Sequence, residues 1–291
     1  MKTVSFTIAL SVFTQTLLLA GPVQPLKIKT NPPPATPWRY DFGIGYSFPS
    51  QRTDFGDKTS WNGAKLESRE NVYGSYGTGA TVSARANYFF DPCFGLSAGV
   101  QHTFGARQLE DQYSLNTGYL EKSELKSGLT GLSMEAVTRT CCEGDWHGEA
   151  RFGTTFYPGG NIRYYETRGT NGAVDYDIQS TTRLRPGFGF NAGFGGDYQV
   201  SSGFNIGFDI RTQFYSATGK SWEYTRFDDK GNDNLQSMKV ADKQFEYLKE
   251  LNENTNTPGN SGYDNSKPRE VLSPRYPFNS VIGTIRTRFT F

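Results

Sequence analysis

Residues 278–291 read FNSVIGTIRTRFTF. In an extended chain Val281, Gly283, Ile285, Thr287, Phe289 and Phe291 fall on one side, and Thr284, Arg286, Arg288 and Thr290 on the other, because strand side chains alternate. One face suits lipid and the other suits water. The segment therefore predicts a strand of a membrane-spanning β-barrel that closes on Phe291.

The same alternation recurs upstream. Trp38, Tyr40, Phe42, Ile44, Tyr46 and Phe48 interleave with Arg39, Asp41, Gly43, Gly45 and Ser47. A second segment sets Ala80, Val82, Ala84, Ala86, Tyr88 and Phe90 against Ser83, Arg85 and Asn87. A third sets Phe94, Leu96, Ala98, Val100 and Phe104 against Ser97, Gln101 and Thr103. The fourth places Leu132, Met134 and Ala136 opposite Ser133, Glu135 and Arg139. The fifth places Trp146, Ala150, Phe152 and Phe156 opposite His147, Glu149 and Arg151. The sixth carries Leu184, Phe188, Phe190, Ala192 and Phe194 against Arg183, Arg185 and Asn191. The seventh carries Phe204, Ile206, Phe208, Ile210 and Phe214 against Asn205, Asp209, Arg211 and Gln213. With the terminal segment these make eight strands.

Connections alternate between short turns, at Pro92, Gly144 and Ser202, and long ones, from Pro49, Gly105, Pro158 and Tyr215. Short and long ends of a barrel lie on opposite sides of the membrane. The predicted fold is all-β: an eight-stranded antiparallel up-and-down transmembrane barrel with four long extracellular loops. Slipping the register by one residue would turn Arg85, Glu135, Arg151 and Asp209 toward lipid, where a basic side chain costs about 2–4 kcal/mol at the midplane.

Composition agrees. The chain has 33 glycines and 15% aromatic residues, yet its mean hydropathy of −0.59 is too low for a bundle of membrane helices. A barrel wall needs apolar residues only at alternate positions. A net charge of +1 and the lack of a basic run argue against nucleic-acid binding. Lys2, the apolar stretch Val4–Leu19 and the small residues Ala20 and Gly21 predict a cleaved signal peptide over 1–20. Residues 21–37 carry six prolines, Pro22 to Pro37, and predict an extended periplasmic lead-in. The barrel occupies 38–291.

An eight-stranded barrel has an interior just wide enough for its own side chains. The inward set predicts a lumen network of Arg39, Asp41, Arg85, Glu135, Arg139, Glu149, Arg151, Arg183, Arg185, Asp209, Arg211, Arg286 and Arg288. Its arginine excess leaves open an anion-attracting lumen. His102 and His147 are the two histidines; His102 falls on the lipid-facing register and His147 joins the inward set. Neither has a nucleophile or acid–base partner at catalytic spacing, so no catalytic, metal or cofactor residues are assigned. Cys93, Cys141 and Cys142 fall at neighbouring strand ends in an oxidising compartment, which predicts a disulfide from Cys93 to Cys141 or Cys142.

Within the third loop, Ile162, Tyr164, Val174, Tyr176 and Ile178 flank Asn171-Gly172, predicting a hairpin whose edge could recruit partner strands. The fourth loop spaces Leu235, Met238, Phe245, Leu248 and Leu251 like a short amphipathic helix, before a disordered-looking run at 255–266. Residues 221–240 could instead add two strands around Lys230-Gly231, giving ten.

The terminal segment resembles the C-terminal recognition strand of bacterial outer-membrane proteins, in which Ile285, Phe289 and Phe291 would serve as the assembly signal. Thr287 and Gly283 depart from the strongest form. From Trp38 to Phe291 the chain resembles the small outer-membrane barrels typified by outer membrane proteins A and X, without a peptidoglycan-binding domain. That resemblance implies an outer-membrane location, contact with outer-membrane lipid and lipopolysaccharide, and the barrel-assembly machinery as partner during biogenesis. The expected role is structural or surface-interacting through the loops. A narrow solute channel, a lipid-modifying enzyme and a soluble lipocalin-like binding barrel are the alternatives.

Overall fold

A computed structural model describes residues 37–140 and 145–290. Its first strands are β1 (Trp38–Pro49), β2 (Thr53–Asn62), β3 (Lys65–Gly74), β4 (Gly79–Asp91), β5 (Phe94–Gly105) and β6 (Gln108–Leu115). Next come β7 (Tyr119–Arg139), β8 (Trp146–Thr170), β9 (Ala173–Leu184), β10 (Gly187–Ser201), β11 (Phe204–Phe214) and β12 (Ser216–Asp229). The series ends with β13 (Asn232–Asp233), β14 (Gln244–Leu248), β15 (Arg269–Leu272), β16 (Arg275–Pro277) and β17 (Ser280–Thr290).

Eight of these strands close a wall in the order β1, β4, β5, β7, β8, β10, β11, β17, antiparallel at every step. β17 returns to β1 from Arg39↔Thr290 to Pro49↔Ser280. Closure leaves no unpaired strand edge in the wall, which hydrocarbon would penalise by several kcal/mol per open backbone group. The soluble inside-apolar alternative is overturned by the facing. Ile44 is 68% exposed on the outside, whereas Arg286 and Arg288 are each 1% exposed inside. In the terminal stretch Ile285 faces out, and Phe289 packs against the rings of Phe42 and Phe204. Phe291 lies outside the described residues, as do the predicted signal peptide and nearly all of the predicted lead-in.

The wall continues past the bilayer at its loop end. β8 has 25 residues, whereas a crossing takes about 9–11, so its upper half stands clear together with that of β7. Further strands join them in the order β3, β2, β6, β7, β8, β9, β12, β14, β15. Two turns of this extension have the backbone that two-residue hairpins favour, with φ above zero at both central residues: Asn171 (53°) with Gly172 (83°), and Lys230 (52°) with Gly231 (83°).

The loops differ from the sequence expectations in several places. The first two long connections are strands, β2, β3 and β6. The hairpin of β8 and β9 has no open edge, because β12 pairs along β9. The series ends at β15 on one side and at β3 on the other; β3 pairs with β2 alone among the described strands and carries Lys65, Glu67, Arg69 and Glu70, charges that discourage further pairing. Residues 235–251 do not form an amphipathic helix. They hold a 3₁₀ turn, Leu235–Ser237, a four-residue helix α1, Val240–Lys243, and β14, which places Phe245 against Trp222 of β12 with ring centroids 4.4 Å apart. The run 255–266 is ordered: the Asn256 amide donates to the carbonyl oxygens of Asp264 and Pro268, and that of Asn260 to those of Asn252 and Thr255. β12 and β13 do turn at Lys230-Gly231, but above the wall, so the barrel keeps eight strands.

Candidate functional site

The barrel interior is built from alternate positions of the wall strands, and on β8 the inward ladder reads Glu149, Arg151, Thr155, Tyr157. Charge sits at the turn end, neutral polar groups in the middle and aromatic surface at the loop end. β11 repeats the gradient with Asp209, Arg211, Gln213 and then Tyr215. The lower layer is one connected ion network. Arg288 donates to both carboxylate oxygens of Asp41 at 2.6 and 2.8 Å and also engages Glu149 and Asp197. Arg151 bridges Asp41 at 3.0 Å and Glu149 at 2.9 Å. Arg286 lies 2.9 Å from Glu149, Arg85 pairs with Asp209 at 2.7 Å, Arg211 with Glu135 at 3.3 Å, and Arg139 with Asp197 at 3.1 Å. Arg39 lies at the end of this layer with its guanidinium 4.5 Å from the Phe89 ring centroid.

Two predicted members are absent from the lumen. Arg183 is exposed on the outer face of β9, paired with Glu223 at 2.9 Å. Arg185 lies between β9 and β10 and donates to the carbonyl oxygens of Gly219 and Tyr247. Reading 183–194 as one strand caused the error. β9 ends at Leu184, Pro186 lacks a donor, and β10 starts at Gly187. On β9 it is Ile178, Ser180, Thr182 and Leu184 that are buried. Asp197 was missed, although extending the inward series Asn191, Gly193, Gly195 by one step reaches it. It is fully buried and faces three arginines, which reduces, without cancelling, the arginine excess that suggested an anion-attracting lumen.

Above the network an apolar plug fills the mouth. Leu125, Leu129, Tyr157, Ile162, Leu184, Tyr215, Ala217, Tyr276 and Phe278 form one buried cluster. Tyr157 and Tyr215 stack with centroids 4.1 Å apart, and Tyr76 meets Tyr276 edge-on at 5.2 Å.

Over the plug, inside the extension, lies a vestibule of about 240 Å³ whose lining includes Tyr164, Trp222, Tyr224, Tyr247, Tyr276, Glu110 and Glu166. Burial raises the Tyr164, Tyr247 and Tyr276 hydroxyls above the usual phenol range and pushes Tyr76, beside them, up to about 12. Aromatic faces with two carboxylates make a surface suited to a sugar ring or a cationic group.

Glu110 occupies the bulge between Leu109 and Asp111 on β6. Burial first, and then the charges of Asp111 and Glu166, push its carboxyl up to about 7. Between its ordinary value of 4.5 and about 7 the folded extension therefore holds a proton that the unfolded chain has released. Stability is greatest below that window and falls as pH rises through it. Hydrogen exchange of β6 amides should quicken from about pH 4.5 to about pH 7 beyond the intrinsic rate. Glu110→Gln should remove that excess.

The remaining candidates are dispersed. His102 lies on the outer face, its Nδ1 2.8 Å from the Thr130 hydroxyl and its ring against Phe104. His147 is part-buried, its Nδ1 without a hydrogen-bond partner among the described residues. Cys93 is disulfide-bonded; Cys141 and Cys142 lie outside the described residues.

No protein-family model matches the chain, and no curated protein matches its sequence. Among solved structures it is similar to the outer membrane protein OprG from Pseudomonas aeruginosa, at 9% identity and a TM-score of 0.43 over 87% of this chain and 95% of that one. It is similar to a major outer membrane protein from Thermus thermophilus, at 14% identity and a TM-score of 0.44 over 88% and 100% of the two chains. Neisserial surface protein A matches at 8% identity and a TM-score of 0.37 over 88% and 98%. These likenesses are too distant to speak to function, and the fold rests on the closed register and its facing. Apolar side chains turned outward around an eight-stranded wall, with charged ones sealed inside, make this chain a membrane-spanning β-barrel of the outer-membrane type.

Proposed function

We propose that the protein is a sealed outer-membrane barrel that acts through its extracellular extension, as a surface-interaction protein rather than as a pore or an enzyme. The carrying observation is that the interior is filled twice, by the ion network and then by the aromatic plug, while the chain above the bilayer is built into an ordered sheet around the vestibule. A barrel serving only as a wall has no need of such a sheet. Among the described residues every lumen arginine but Arg39 lies within ion-pair distance of a buried carboxylate, which favours a stabilising network over an anion path. The aromatic and acidic vestibule is the surface best suited to a partner.

The test joins two measurements on the intact protein. In planar bilayers the purified barrel should give no conductance steps at any voltage. An epitope inserted at the Asn171-Gly172 turn should be reached by antibody on intact cells. Stepwise conductance would replace this reading with a channel, and an epitope accessible only after lysis would reverse the orientation on which it rests.

A further inference from the structure

On the outer surface, where the apolar belt gives way to the extension, the wall carries a groove of about 690 Å³. Its floor is made by glycines at the bulge of β7 and β8. Gly128 and Gly160 approach so closely that a Cβ on Gly160 would lie 2.6 Å from the Gly128 carbonyl oxygen. The rim carries Lys126, Arg163, Arg183 and Lys220, all exposed, with His102 and Asn161 at its lower edge.

Two features distinguish this cluster from an ordinary solvated face. Lys126 and Arg163 are directly opposite in the ladder of β7 and β8, an arrangement of like charges that destabilises a sheet. Among the described residues neither has a carboxylate within ion-pair distance, nor has Lys220; Arg183 alone of the four is paired, with Glu223. The second feature is position. The outer ladder of β7 runs Met134, Leu132, Thr130, Gly128, Lys126, and that of β8 runs Phe152, Phe156, Asn161, Arg163. Each passes from apolar to cationic within a few residues. The groove thus sits at the level where lipid headgroups begin, above a belt that includes exposed Phe104, Met134 and Phe188.

We propose that this groove binds the phosphate groups of a phosphorylated glycolipid in the surrounding outer leaflet. Lys126 and Arg163 would share one phosphate, relieving their mutual repulsion. Lys220 would hold a second, and the Asn161 amide and His102 would meet sugar hydroxyls. Guanidinium and ammonium donors to phosphate form charge-assisted bonds, while acyl chains descend along the belt. The inference rests on the membrane-embedded reading of the wall.

The test uses the full-length barrel in nanodiscs and native mass spectrometry. The probes are a bisphosphorylated acylated glucosamine disaccharide and the same lipid without phosphates. The wild type should retain the phosphorylated lipid about tenfold better. Lys126→Ala/Arg163→Ala should lose that preference while keeping its heat-dependent mobility shift on a detergent gel, which reports a folded barrel separately from the site. Equal retention of the two lipids, or an unchanged preference in the double variant, would overturn the proposal. So would full displacement by inorganic phosphate at equal concentration, since that would make the groove a free-anion site. A wild type without the gel shift would instead refute the membrane reading beneath it.

Discussion

Replacing Glu149 with glutamine should lower the stability of the folded barrel by about 3–5 kcal/mol, the loss expected when one partner of a buried ion network is removed. Glu149 lies within ion-pair distance of Arg139, Arg151, Arg286 and Arg288. Neutralising it leaves four guanidinium groups facing Asp41 and Asp197 at that end of the lumen, where burial leaves the excess charge poorly screened. The amide keeps nearly the same volume, so the effect isolates charge from packing. Glu223→Gln is the matched control. It removes the carboxylate of the exposed Arg183 pair and should cost less than about 1 kcal/mol. Urea titration of each variant in lipid vesicles, followed by tryptophan fluorescence, reads both values. A small loss at Glu149 would mean that water enters the lumen. Such a result would also reopen the channel reading, because only a hydrated interior could both screen the arginines and carry solute.

How much of this was legible in the sequence follows from the forces that set each part. The wall could be read because lipid and lumen impose opposite demands on successive residues, so Ile285 and Arg286 could only point opposite ways. The Asn171-Gly172 hairpin could be read because its turn needs left-handed backbone that few residue pairs accept. Above the bilayer the constraint lapses. β3 is solvated along nearly its whole length, so KLESRENVYG shows no alternation and gives no strand signal. The vestibule was invisible for a different reason. Glu110 on β6, Trp222 on β12 and Tyr276 on β16 are brought together by long-range pairing, and local sequence carries no trace of it. The outer groove was hidden by the same inversion that misplaced Arg183. A bulge or proline break resets which residues face outward, and the alternation of one strand cannot be carried across it.

The second large effect concerns the belt. Ile44 and Ile285 are directly opposite in the ladder of β1 and β17, both facing outward near mid-wall. Ile44→Arg should destabilise the bilayer-embedded barrel by about 2–4 kcal/mol, whereas the same change at Tyr40 or Phe48, nearer the two rims, should cost about 0–1 kcal/mol in charge burial. The dependence on depth matters more than any single value. Loss of packing or of strand propensity would give similar penalties along β1, and a soluble barrel would tolerate arginine at its exposed Ile44 as readily as at its ends. Only a slab of hydrocarbon centred on Ile44 yields a maximum there. Equilibrium unfolding in vesicles of two acyl-chain lengths sharpens the test. Thicker bilayers should broaden the profile along β1, because residues now at the interface are drawn into hydrocarbon, and a profile indifferent to thickness would mean the belt is not where lipid lies.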